Sequence, residues 1–183
     1  MKHQSEITIK ACILGIILSM VLAGANAYLG LFAGMTVSAS IPAAVISMGI
    51  LSLFKNSNIL ENNIVQTAAS AGESLAAGVI FTIPALILMN YWDEFNFDQY
   101  WIITGISATG GIIGVLFTIP LRRALIIEAK LQFPEGIATA EVLKSKEKKS
   151  SGLKYLLQAG IVGALFKISS LAAASLSGIG KFS

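Results

Sequence analysis

The 183-residue sequence contains one cysteine, Cys12, and one histidine, His3. A lone thiol closes no disulfide within the chain, and one Cys with one His builds no metal site of the Cys/His kind. With its only histidine at the extreme N-terminus, the chain cannot assemble a Ser-His-acid triad around Gly72-Glu73-Ser74-Leu75-Ala76, which loosely resembles a nucleophile elbow. Gly178-Ile179-Gly180-Lys181 is similar to the end of a phosphate loop, but Ser175 stands where the first glycine belongs and Phe182 where a magnesium-binding hydroxyl is needed. No enzyme chemistry, metal site or cofactor is expected, and any transport would run on an ion gradient.

Charge is also scarce. Only 13% of residues are charged and 55% are hydrophobic, against about a quarter charged in soluble domains. Mean hydropathy is +0.75, and a membrane protein is the first expectation. No Lys or Arg occurs between Asn56 and Leu121, whereas Asp93, Glu94 and Asp98 cluster inside that interval. The lysine-rich stretch 144–154 has no interleaved aromatic residue, so it is not read as a nucleic-acid face. Residues 144–152 are expected to form a solvated cytoplasmic loop.

Against this apolar background one stretch stands out. Taken as a helix, residues 61–74 (ENNIVQTAASAGES) place Asn63, Gln66, Thr67, Ser70, Glu73 and Ser74 on one strip, at steps of three and four. Ile64, Val65, Ala68, Ala69, Ala71 and Gly72 face the other way, and Glu61 and Asn62 fall off the strip. On a soluble helix such a strip faces water, and a helix at the water interface remains the alternative. The uncharged run 75–89 that follows argues for a polar strip facing the interior of a membrane bundle, since a charge at bilayer depth costs at least roughly 2.5 kcal/mol and is kept only with a partner or water.

The chain in order reads as an all-α, polytopic integral membrane bundle, a single membrane domain over 1–183 with about five membrane segments and broken or re-entrant helices. Lys2 and Lys10 precede a first span at 7–29; Ala25-Asn26-Ala27 also has the form of a signal-peptidase site, which would leave Tyr28 as the mature start. Gly30 and Gly34 form a GxxxG that suits either close helix approach or a turn. A second span is expected over 36–54, interrupted by Pro42 and closed by Lys55. Residues 59–90 exceed one straight crossing and are expected to divide at Ala71-Gly72 and Pro84.

Tyr91, Trp92, Tyr100 and Trp101 suit an interfacial belt, and 102–121 is the next span, ended by Arg122-Arg123. Within 125–143, Phe133-Pro134-Glu135-Gly136 must break a helix, leaving either a surface helix pair or a re-entrant segment reaching the polar strip. A last span covers 153–176. With the basic clusters placed inside, the N-terminus is cytoplasmic, Lys55 lies inside after two spans, the acidic loop outside after three and Arg122-Arg123 inside after four.

Three blocks carry a family resemblance: NAYLGLFAGMTVSASIPAAVIS (26–47), NNIVQTAASAGES (62–74) and FPEGIATAEVL (133–143). In order and spacing they resemble the oligopeptide transporter family, especially its prokaryotic branch related to the yellow-stripe-like metal-chelate carriers. The resemblance implies a secondary carrier in the cell membrane that imports peptides or peptide-like metal chelates with protons. Family members are several times longer, so this sequence is expected to be the N-terminal portion of a longer transporter, completed by further C-terminal spans or a partner membrane protein.

The expected substrate and proton path is the strip Asn63, Gln66, Thr67, Ser70, Glu73 and Ser74. Its amides and hydroxyls donate and accept, as a peptide backbone does. Glu73 can bind a substrate amine or, sheltered from water, carry a proton. Asn26, Tyr28, Glu61 and Glu135 are second choices. The rival expectation is a non-transporting assembly subunit or short paralogue whose strip mates with a partner helix.

Overall fold

The computed structural model describes residues 7–54, 57–92, 96–145 and 152–176. Lys2, His3, Lys55, Asn56, Asp93, Glu94, loop residues 146–151 and the tail from 177 onward lie outside them, with the expectations attached to each. The described residues form α1 (Ile9–Ala33), α2 (Ser40–Leu51), α3 (Ile59–Leu88), α4 (Phe97–Arg122) running into a π-helical turn (Arg123–Glu128), α5 (Pro134–Ser145) and α6 (Gly152–Leu176). The protein is an all-helical membrane bundle.

α1 and α3 form its centre, and they run parallel. At their N-terminal ends Lys10 pairs with Glu61 at 3.1 Å, and further along Gly15 meets Val65 and Ala68, Gly72 meets Ser19, and Gly30 meets Ile80. Small residues at these crossings bring the two backbones together, which is how helices associate in lipid where burial gives little drive. A Cβ on Gly72 would fall 1.7 Å from Ser19 Oγ. Glycine there is a contact surface and not a hinge, so the division expected at Ala71-Gly72 does not occur: α3 is one helix of 30 residues with Pro84 inside it near its C-terminal end. Of the expected GxxxG pair, Gly30 makes the close approach while Gly34 (φ 67°) is the left-handed cap that ends α1.

Two parallel crossing helices require the chain between them to return. The second span does so in an unexpected form, because helix occupies only Ser40–Leu51. Twelve helical residues cover about 18 Å, short of a bilayer core of about 30 Å. The irregular segment 35–39, able to reach at most about 17 Å, makes up the difference. Pro42 falls in the first turn of α2, where the missing N–H is harmless, so it interrupts nothing.

α4 runs antiparallel to α3, with Leu75 near Gly111 and Ile83 sharing an apolar recess with Ile103. Among the described residues α1, α3 and α4 with its π turn are long and apolar enough to cross a membrane. α2 and α5, at 12 residues each, are half-length helices, as a bundle with broken helices requires.

The break before α5 lies at 129–133, ahead of the expected 133–136, and Pro134, Glu135 and Gly136 are already helical. Lys130 takes a positive φ of 48°, and Pro134 opens the new helix, its fixed φ suiting the first helical position. α5 lies beside α2 in the same direction: Glu135 meets Ser38 near their N-terminal ends, and Leu143 packs with Ala44 and Met48 further along. α2 and α5 thus begin at the same depth, and that depth is the middle of α3.

Candidate functional site: a mid-depth polar cavity

Glu73 and Ser74 straddle the midpoint of α3, about 20 Å from either end. Around this level lies a cavity of about 850 Å³ with three walls. One is the α3 strip, through Asn63, Gln66, Ser70, Glu73 and Ser74; the second is the α1–α2 break, through Thr36, Ser38 and Ser40; the third is the start of α5, through Phe133 to Gly136 and Thr139. No Lys or Arg lines it among the described residues. Its charged side chains are the two carboxylates, Glu73 and Glu135.

Each carboxylate is tied to the broken segment. Asn26, on α1, is 5% exposed and Glu73 is 6% exposed. The Asn26 amide nitrogen donates to Glu73 Oε1 and, at 2.9 Å, to the Val37 carbonyl, while Val37 N–H donates back to Asn26 Oδ1 at 3.0 Å. The side-chain amide therefore replaces the helical partners that the backbone at Val37 has lost. From the other side the Ser38 hydroxyl donates to Glu135. Ser40 Oγ in turn lies 3.0 Å from Ser70 Oγ, joining the break to the strip.

α2 and α5 both present their N-terminal turns to the cavity, and the Ala39 cap of α2 makes no side-chain hydrogen bond. Free backbone N–H groups at helix starts favour nearby negative charge, which suits the placement of Glu135 between them. Thr139 Oγ1 is buried without a hydrogen-bond partner among the described residues.

A family model described as OPT oligopeptide transporter protein matches residues 6–181. The chain belongs to the oligopeptide transporter family. Its similarity to a Haemophilus influenzae protein assigned as an oligopeptide transporter is 50% identity over 140 residues, covering 75% of this chain and 22% of that one. A Saccharomyces cerevisiae protein assigned likewise is 30% identical over 158 residues, covering 75% of this chain and 21% of the relative. A metal-nicotianamine transporter of Arabidopsis thaliana is 29% identical over 156 residues, covering 74% and 23%. The chain thus spans about a fifth of the length of the curated relatives it matches. No solved structure matches it significantly.

Within this family member, the structure brings most of the sequence candidates together. Asn63, Gln66, Ser70, Glu73, Ser74 and Glu135 share the cavity, and Asn26 stands behind Glu73. Three do not join them. Thr67 is exposed, with its hydroxyl 3.5 Å from Gln66 Oε1. Tyr28 is 62% exposed and stacks on Phe32. Glu61, buried at the start of α3, closes the capping box with Asn58, accepts from Thr8 at 2.7 Å and pairs with Lys10. It anchors α3 to α1, some 18 Å along the helix from Glu73.

Thr36, Ser38, Ser40 and Thr139 were not among the candidates. The hydroxyls crowding 36–40 were visible in the sequence, but a span drawn as continuous helix gives them no common face. Thr139 carries no signal of its own.

Proposed function

We propose that this chain supplies part of the translocation path of a secondary transporter that takes up oligopeptides or peptide-like metal chelates together with protons. The observation carrying this reading is the cavity itself: amides, hydroxyls and two carboxylates gathered at the middle depth of the bundle, between two half-length helices. Discontinuous helices surround the midplane sites of many transporters. Mixed donors and acceptors suit a peptide backbone, and a carboxylate suits its amine.

Glu73 is the residue we assign to the proton and the substrate amine, with Glu135 as the second carboxylate. Each proton entering down 100 mV supplies about 2.3 kcal/mol to the uptake. We place the protein in the cell membrane with the N-terminus and the 144–152 loop in the cytoplasm, an orientation that the distribution of Lys and Arg supports. The names of the relatives, one assigned to oligopeptides and one to metal-nicotianamine, support the substrate class.

The test is uptake by a full-length relative carrying the Glu73→Gln substitution at the matching position. Accumulation against a gradient and its pH dependence are both expected to be lost. Unchanged values of both would remove Glu73 from the path.

A further inference from the structure

We propose that Asn26 is a positioning residue that ties the state of the Glu73 carboxylate to the broken segment 35–39, so that a proton or amine taken up at Glu73 loosens one wall of the cavity. This rests on Glu73 being the carboxylate that accepts them.

The geometry is specific. The Asn26 amide joins a carboxylate at the midpoint of α3 to the backbone of Val37, eleven residues along from Asn26 on the far side of the α1 cap, and among the described residues no other hydrogen bond links the two. Of its three hydrogen bonds the one to Glu73 is buried, while the two to the exposed Val37 are partly buried. A bond donated to an ionised carboxylate is roughly twice as strong as one to a neutral acceptor. While Glu73 is ionised, the amide is fixed by its negative charge and so presents both its donor and its acceptor to Val37.

Protonation changes the arrangement in two ways. The carboxyl becomes a weaker acceptor for the Asn26 N–H, and it gains an O–H that needs an acceptor of its own. The acceptors in this cluster are Asn26 Oδ1 and the Val37 carbonyl, both already committed to the amide–backbone pair. A substrate ammonium acts in the first of these ways, by drawing the carboxylate charge to itself.

The segment so released carries Thr36 and Ser38 on the cavity wall, and among the described residues its other tie to a charged group is Ser38 to Glu135. Lys10 and Glu61 pair with each other at the far end of α1 and α3, α2 carries no charged residue, and α5 contributes Glu135 to the cavity while its Glu141 and Lys144 pair with each other.

The experiment uses this chain in detergent or liposomes with Cys12→Ser and a nitroxide attached at Met35→Cys. Met35 is 59% exposed at the head of the segment and makes room for the label. Spin-label mobility is read from about pH 8 to about pH 3.5, which passes the ordinary glutamate value of about 4.3.

Mobility is expected to rise as the pH falls. Glu73→Gln should abolish the change, Asn26→Ala should leave the label mobile at every pH, and Glu135→Gln should keep the original profile. A flat profile in the parent, an unaltered profile in Asn26→Ala, or loss of the profile in Glu135→Gln would each overturn the proposal. If circular dichroism shows that Asn26→Ala has lost its helices, Asn26→Thr, which keeps one donor for two partners, is judged by the same criteria. Failure of the uptake test with this mobility result intact would remove the transport role of Glu73 and leave the link standing.

Discussion

Glu135 shows how one side chain serves a break it does not belong to. It sits in the first turn of α5, yet the hydroxyl that donates to it, Ser38, comes from the α1–α2 break. Removing the donor with Ser38→Ala should therefore lower the thermal midpoint, and Ser38→Ala combined with Glu135→Gln should lose less than the two single losses added together. Melting curves of the parent and the three variants check this; strictly additive losses would place the stabilising contact elsewhere.

Individual residues also mark the limit of what the sequence discloses. The period of three and four residues put Asn63, Gln66, Ser70, Glu73 and Ser74 on one face from sequence alone, because a helix fixes that face whatever packs against it. Asn26 is only a second choice for the path when read from the sequence. Its partners lie 11 and 47 residues away, and no local pattern encodes a hydrogen bond over that separation.

At the scale of the element, glycine was the residue most open to misreading. The same side chain, or lack of one, serves a hinge, a cap and a contact, and sequence does not say which. In α3 the two glycines differ sharply: a Cβ on Gly72 collides with Ser19, whereas one on Gly78 meets nothing within 4 Å. Gly72→Ala should cost about 1–3 kcal/mol by overpacking, while Gly78→Ala should be neutral or slightly stabilising through helix propensity. Denaturation of the two variants measures the contrast, and Ser19→Gly should recover part of the Gly72→Ala loss.

The lengths of α2 and α5 set a second such limit. Residues 36–54 carry no charge and a scatter of hydroxyls, so nothing in their composition announces that helix begins only at Ser40. The start of α5 was easier to read, since Pro134 both disfavours helix before it and suits the first turn after it.

For the molecule as a whole, the parallel course of α1 and α3 is the feature from which the topology follows. It places the start of α1 and the end of α2 on one side and the end of α3 on the other. Single cysteines at Ile7 and Leu53, in a Cys12→Ser background, should react with a membrane-impermeant thiol reagent from the same face of the bilayer, and one at Tyr91 from the opposite face. All three positions are well exposed, at 69%, 83% and 75%. Labelling of Ile7→Cys and Leu53→Cys from opposite faces would mean that the break at 35–39 does not complete a crossing.

The cavity has an electrical consequence. A hydrated recess that stops at the half-way plane conducts like the bath it opens to, so the membrane potential falls mainly across the dry half beyond its floor. Nearly the whole voltage would then fall across the remaining half of a hydrocarbon core of about 30 Å, and the short α2 and α5 are what leave only that half.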